Sequence, residues 1–299
     1  MRRHKRISSL PFHLMILPGF ILVALYSYGP IAGIVIAFQN FIPAKGLFGS
    51  EWIGLGNFEY MAGLSDTYAV VKNTVYIATM KIIAGQVAPI ATALLLNEVR
   101  KAFVKRGIQT LIYLPHFLSW VILGGIMVDI LSPSSGIVNA LLRFVGLEPV
   151  DFLGNPRTFP FVLVISDVWK DFGFSTIVYL AALTSINPAL YEAAAIDGAG
   201  RLKMTWHITL PGMLPIIILL ATLNLGHILN AGFDQVFNLY SPQVYRTGDI
   251  IDTFVYRMGL IDAQYGLATA VGLFKSFVSL LLISASYALA YRFANYRIF

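Results

Sequence analysis

Stretches of about twenty or more mainly apolar residues recur along this chain, the length a helix needs to cross a bilayer at about 1.5 Å per residue. Six qualify, at about 10–38, 73–97, 108–131, 159–184, 207–233 and 267–291 of the 299 residues. No fold standing free in water could bury them all. Charged residues make up only 12% of the chain, about half the share of a soluble domain, so there is too little charge to clothe a water-facing surface. The reading is an all-α membrane protein with six transmembrane helices in a single membrane domain, 1–299. Arg2-Arg3-His4-Lys5-Arg6 is a basic start, but the apolar run after it is too long for a cleavable leader and lacks a small-x-small site. It reads as an anchored first span, interrupted by Pro18, Gly19, Gly29 and Pro30. There is no cysteine, which removes disulfides and thiolate metal sites.

Six spans place both termini on one side. The segments there hold Arg2, Arg3, Lys5, Arg6, Arg100, Lys101, Lys105, Arg106, Arg201, Lys203, Arg292 and Arg297, against Lys45, Arg143, Arg157, Arg246 and Arg257 in the longer opposite loops. That excess predicts cytoplasmic termini in a multi-pass plasma-membrane protein surrounded by lipid. The net charge of +6 is thus spent on topology, not on a basic patch interleaved with aromatics, and no nucleic-acid partner is expected. No internal repeat, low-complexity tract or interdomain linker is evident.

The polar stretch 185–206 lies between the fourth and fifth spans. Asn187 and Pro188 are a cap and first-turn pair, so a helix begins there. Gly198 and Gly200 give the freedom to end it. Between them runs Glu192-Ala193-Ala194-Ala195-Ile196-Asp197-Gly198, and nine residues later Ile208-Thr209-Leu210-Pro211. A small-residue helix with charge at its ends, held at a membrane surface, is a docking element and not a catalytic one. Its spacing resembles the E-A-A, x3, G, x9, I-x-L-P motif of the membrane subunits of ATP-binding-cassette importers, with every fixed position met. The surrounding text looks most like the maltose-type carbohydrate branch. Phe233-Asp234-Gln235-Val236-Phe237-Asn238 brings it nearest the polysaccharide and oligosaccharide permeases. The likeness extends over nearly the whole chain in length and span order. It implies that 185–206 is a coupling helix entering a cleft on a cytoplasmic ATPase, through Glu192, Ala193, Ala194, Asp197, Gly198 and Arg201. It implies as partners a second permease subunit, two ATPase subunits and an extracellular solute-binding protein, with a carbohydrate as cargo. It also implies that ATP and Mg belong to the ATPase, with no cofactor on this chain.

Ionisable residues within spans are functional candidates because charge at bilayer depth is costly. Asp167, Trp169, Lys170 and Asp171 form the densest group, in the fourth span, and Asp167, Lys170 and Asp171 stand at helical spacing. One reading is a hydrated sugar path with hydrogen bonds and ring stacking; the other is that Lys170 neutralises its neighbours inside the bundle. Asn224, His227 and Asn230 make a polar stripe on the fifth span, suited either to the pathway or to interhelical hydrogen bonding. Lys81 lies deep and requires a carboxylate, in this chain or in another subunit. Asp129 and Lys275 fall near span ends. The five histidines have no metal-ligand spacing, and no glycine precedes any lysine, so the phosphate-cradling G-x-x-x-x-G-K-[ST] loop is absent. The chain is expected not to be an enzyme. If transport is ATP-driven, hydrolysis occurs on another polypeptide; the rival reading is an ion-coupled secondary transporter for a polar solute, with Asp167, Lys170 and Asp171 as coupling residues.

Overall fold

The computed structural model describes residues 10–294; Arg2, Arg3, Lys5, Arg6 and Arg297 of the charge argument lie outside them. Helices joined by loops make up the described chain, with one two-residue antiparallel ladder, as expected of an all-α membrane protein. Its elements are α1 (Leu10–Val23), β1 (Gln39–Asn40), β2 (Glu51–Trp52), α2 (Gly56–Gly63), α3 (Ser65–Glu98), α4 (Ala102–Tyr113), α5 (Trp120–Leu131), α6 (Ile137–Phe144), α7 (Phe159–Thr184), α8 (Pro188–Ile196), α9 (Arg201–Met204), α10 (Leu210–Gly226), α11 (Phe233–Leu239), α12 (Ile251–Tyr256) and α13 (Tyr265–Ala294), with single turns between some of them. The chain gathers into two compact units. One runs to Gly63 and takes up Val255–Leu273; the other comprises Leu64–Phe254 and resumes at Phe274.

In the first unit α1 passes into a wide turn at Ala24–Tyr28 and a tight 3₁₀ stretch at Gly29–Phe38. Pro30 explains the change of winding, since proline has no N–H to give the turn before it and its ring crowds that turn. The stretch Phe12–Phe38 remains long and apolar enough to cross a membrane. Beyond it Gln39 pairs with Trp52 and Asn40 with Glu51. Phe38 stacks on Trp52, with ring centroids 5.6 Å apart. Asn57 locks α2 to this hairpin by donating from Nδ2 to the carbonyls of Ala37 (2.9 Å) and Gln39 (3.0 Å). The first turn of α13 reaches the same place through Gly266, where a Cβ would come within 2.7 Å of Asn57 Nδ2.

The second unit is built on α3 lying along α7. Ile77 and Ala78 of α3 and Phe159 and Leu163 of α7 join Ala231, Val236, Leu239, Val244 and Ile250 in one core. Further along, Ala93, Tyr179, Ala182, Leu183 and Met213 form a second. The Tyr179 hydroxyl donates to Gln86 Oε1 in the space between them. Gly173 lets α7 touch the next helix: a Cβ there would lie 2.0 Å from the Ile112 carbonyl oxygen.

The expected spans are matched unequally. α7 covers the fourth residue for residue, 159–184, and its 26 residues are ample for a crossing; three charges keep it from qualifying on composition. α13 matches the sixth within a few residues, while α3 begins at Ser65, eight residues before the expected start. The expected third span, 108–131, is not one rod: Ala102–Phe117 and Trp120–Leu131 meet at 103°. Pro115 starts a 3₁₀ turn there, and Ser119 caps the new helix by accepting from the Ile122 N–H. The fifth, 207–233, stops being helical at Gly226 and resumes at Phe233, after Gly232 turns left-handed at φ +93°. Apolar runs announce depth well, but they do not announce where a helix breaks within them.

Candidate functional site

Two constructions in the second unit carry the residues singled out by the sequence. The first is the loop 185–206. The Asn187 side chain accepts from the Ala189 N–H at 3.0 Å and so starts α8. At its other end the Ala199 N–H reaches the Ala194 carbonyl (2.8 Å) and the Gly198 N–H the Ala195 carbonyl (3.1 Å). With Gly198 at φ +75°, this is a Schellman stop, which satisfies carbonyls that a helix end leaves open. α9 then starts a new direction, continuous through a wide turn at Thr205–Thr209 into α10. A bond of 3.0 Å between the Tyr191 and Thr209 hydroxyls ties the two limbs together.

The motif residues lie at the surface of the loop. Glu192, Ala193, Asp197 and Gly198 are exposed and Ala194 is half-buried. Beside them Ile196 and Leu202 are 87% and 82% exposed, an apolar edge that would not stay in water unaided. An apolar groove of about 410 Å³ runs between Ala194, Ala199, Lys203, Met204, His207 and Ile208. Arg201 reaches back to the end of α3, 3.0 Å from a Glu98 oxygen.

The second construction is a polar cavity of about 250 Å³, lined by Lys81, Gly85, Asp167, Ser175, Asn224, His227, Asn230 and Gly232 among others. The deep lysine finds its carboxylate within the same chain: Lys81 Nζ lies 3.1 Å from Asp167 Oδ1. It also donates to the Ala231 carbonyl at 2.7 Å and to Gln235 Oε1. An ammonium has three protons, so all three are engaged. Gln235 is fully buried, and its Nε2 donates onward to the Leu163 carbonyl (2.7 Å) and Ser166 Oγ (2.8 Å). The break at 227–232 is pinned a second time: Lys275 Nζ, well inside α13, holds Asn230 Oδ1 (2.9 Å) and Asp252 Oδ1 (2.5 Å). Lys275 is therefore a largely buried cation with its own carboxylate.

The structure separates residues that helical spacing put together. Asp167, Asn224 and Asn230 border the cavity. Lys170 instead donates to the His116 carbonyl at 2.6 Å and lies 5.9 Å from the centre of the Trp120 ring. Asp171 meets His116 Nδ1 at 2.7 Å, and the His116 ring stacks on Phe174 at 4.1 Å. Lys170 and Asp171 thus fasten the α4–α5 bend to α7. Trp169 stands 41% exposed on another side. Sequence reasoning missed the hub at Gln235, the role of His116 and the acid at Asp252. Nothing local marks them, because each acts on a residue far away in the chain.

Comparison with known proteins agrees with this geometry. Residues 85–295 match the family described as binding-protein-dependent transport system inner membrane component. The polygalacturonan/rhamnogalacturonan transport system permease protein YteP of Bacillus subtilis is 42% identical over 291 residues, covering 97% of this chain and 91% of that one. Protein LplB of the same organism is 40% identical, covering 94% and 88%. A bacterial ABC transporter that imports the acidic polysaccharide alginate has a chain superposing with a TM-score of 0.87 at 39% identity, over 95% of this chain and 96% of that one. The same kind of transporter, in complex with an alginate pentasaccharide-bound periplasmic protein, matches with a TM-score of 0.86. The family match takes in the loop after α7 and the broken fifth span: this chain belongs to the binding-protein-dependent transport system inner membrane components, as a multi-pass transport permease.

Proposed function

We propose that this chain is one of two permease subunits of an ATP-binding-cassette importer, forming with its partner the path for an acidic oligosaccharide or polysaccharide fragment. The observation that carries the reading is the exposed, capped helix pair 185–206 standing beside its apolar groove. ATP and Mg would be held by two separate cytoplasmic ATPases, and the cargo delivered by an extracellular solute-binding protein. With six spans and both termini in the cytoplasm, Glu192, Ala193, Ala194, Asp197, Gly198 and Arg201 would face the ATPases. The names of YteP and of the alginate transporter favour an acidic polymer as cargo. Hydroxyls would meet Asp167, Asn224 and Asn230 in the cavity; Lys81, already holding three acceptors, has no proton left for a uronate carboxylate in this arrangement.

Alternating access requires contacts that differ between two states. Here the loop joins α7 to α10, and these two helices border the cavity, so a push on α8 is delivered to the cavity's own walls. The test is co-purification. Glu192→Lys reverses a charge on the docking face, and Gly198→Pro removes the N–H of the Schellman stop while forbidding φ +75°. Both variants are expected to insert normally and to lose retention of the ATPase and ATP-dependent uptake. Full ATPase retention in both, or uptake that follows an ion gradient in the absence of ATP, would sink the proposal.

A further inference from the structure

A second polar cavity, of about 250 Å³, lies wholly in the first unit, among Gln39, Asn40, Phe41, Tyr60, Gln264 and Tyr265. It sits just past Phe38, where one membrane-length apolar stretch ends, and at Tyr265, where another begins. Gln39 is 94% buried by the complement of its 6% exposure. Its amide is oriented by donation from Nε2 to the Leu47 carbonyl at 2.8 Å. The other end of that amide, Oε1, is buried without a hydrogen-bond partner among the described residues. A buried acceptor left so is costly, and it asks for a donor from outside the chain. The backbone beside it is strained as well: Ala263 adopts φ +54°, a left-handed conformation rarely held by a residue with a side chain. Opposite, Tyr265 meets Phe41 edge to face at 5.8 Å, giving the cavity an aromatic wall.

We propose that this cavity is a sugar-binding subsite, in which Gln39 Oε1 accepts a hydroxyl proton from one pyranose unit of the cargo while the Phe41–Tyr265 wall takes the apolar face of the ring. No lysine, arginine, aspartate or glutamate lines it, so it reads hydroxyls and ring shape and not the carboxylate of an acidic sugar. Its volume of about 250 Å³ lies just below the range of drug-sized ligand sites, which begins at about 300 Å³, and suits one ring rather than a chain segment. The inference rests on reading the chain as a carbohydrate permease, and it deepens that reading by giving the cargo a contact in the first unit, on the residues around Gln39.

The experiment uses the assembled transporter, both permeases with their ATPases, in detergent and without solute-binding protein. Saturation-transfer NMR is recorded with trigalacturonate and with maltotriose as probes. Both are expected to bind within about threefold of each other, and raising salt from about 0.05 M to about 0.5 M should leave both signals unchanged, because no fixed charge is involved. Gln39→Leu, and separately Tyr60→Phe at a 56% exposed position where folding is not at stake, should each weaken both probes, by about tenfold for the first. Three results would overturn the subsite: no transfer to either probe, transfer unchanged in both variants, or binding of trigalacturonate alone that falls with salt. Asn224→Leu separates this proposal from the pathway reading. It should abolish uptake and leave the subsite's signal intact; unaltered uptake would count against the pathway and not against the subsite.

Discussion

Lys81 gathers its three acceptors from residues 86, 150 and 154 positions away, whereas α8 is started by a bond from Ala189 to Asn187 and stopped by bonds among Ala194, Ala195, Gly198 and Ala199. The cavity therefore exists only when α3, α7 and the 227–235 break are all in place, and a movement of any one of them dissolves it. The bonds that start and stop α8 lie within a few residues of each other, so its shape does not depend on distant partners. A part that must be gripped gains from the second arrangement, and a part that must change between two states gains from the first. Two lysines fix the broken stretch of the fifth span, each with its own carboxylate, so that stretch has discrete partners to lose and regain.

Lys81→Met should break the comparison most forcefully if it is wrong. Removing one partner of a half-buried ion pair strands Asp167 and frees the Ala231 and Gln235 acceptors, a loss of roughly 3–5 kcal/mol. Thermal unfolding of the detergent-purified protein should show it as a large drop in melting temperature. Lys81→Met with Asp167→Leu removes the stranded charge and should recover most of that drop without recovering uptake. Equal melting of the single and double variants would mean that the pair is not the clasp its geometry describes.

Gly198→Ala is the corresponding change in the loop, and its effect should be smaller and local. A side chain at φ +75° costs roughly 1–2 kcal/mol, enough to fray α8 and not the bundle. Hydrogen exchange should quicken in 188–204 and stay as before in α3 and α7. Faster exchange spreading into α7 would show that the loop is no independent module.

The same contrast explains what was legible in advance. α7 fell on 159–184 and the start of α8 on Asn187-Pro188, because apolar runs and caps are written within a few residues of where they act. The turn at Gly198 was readable for the same reason. The 103° bend at 118–119 was not, since Pro115 and Ser119 lie inside an unbroken apolar run that has no reason to declare itself two helices. Nor was the Lys81–Asp167 pair: i, i+3 and i, i+4 spacing on α7 drew attention to Lys170 and Asp171, while the partner that mattered lay on another helix. Charge in a span said that a partner exists, and only packing could say which.

Arg201 is where structure and docking can be pulled apart with the smallest perturbation. Its ion pair with Glu98 is a good contact at 3.0 Å, yet the two side chains are 65% and 51% exposed. Solvent screens such a pair, so its loss is worth about 0–1 kcal/mol. Arg201→Ala should leave the melting temperature of the purified permease nearly unmoved, and Glu98→Ala should match it. If Arg201 serves the ATPase, its alanine variant alone should lose ATPase retention, because Glu98 is a partner only within the chain. Equal losses from both variants would assign the residue to holding α9 against α3, and the docking face would then end at Gly198.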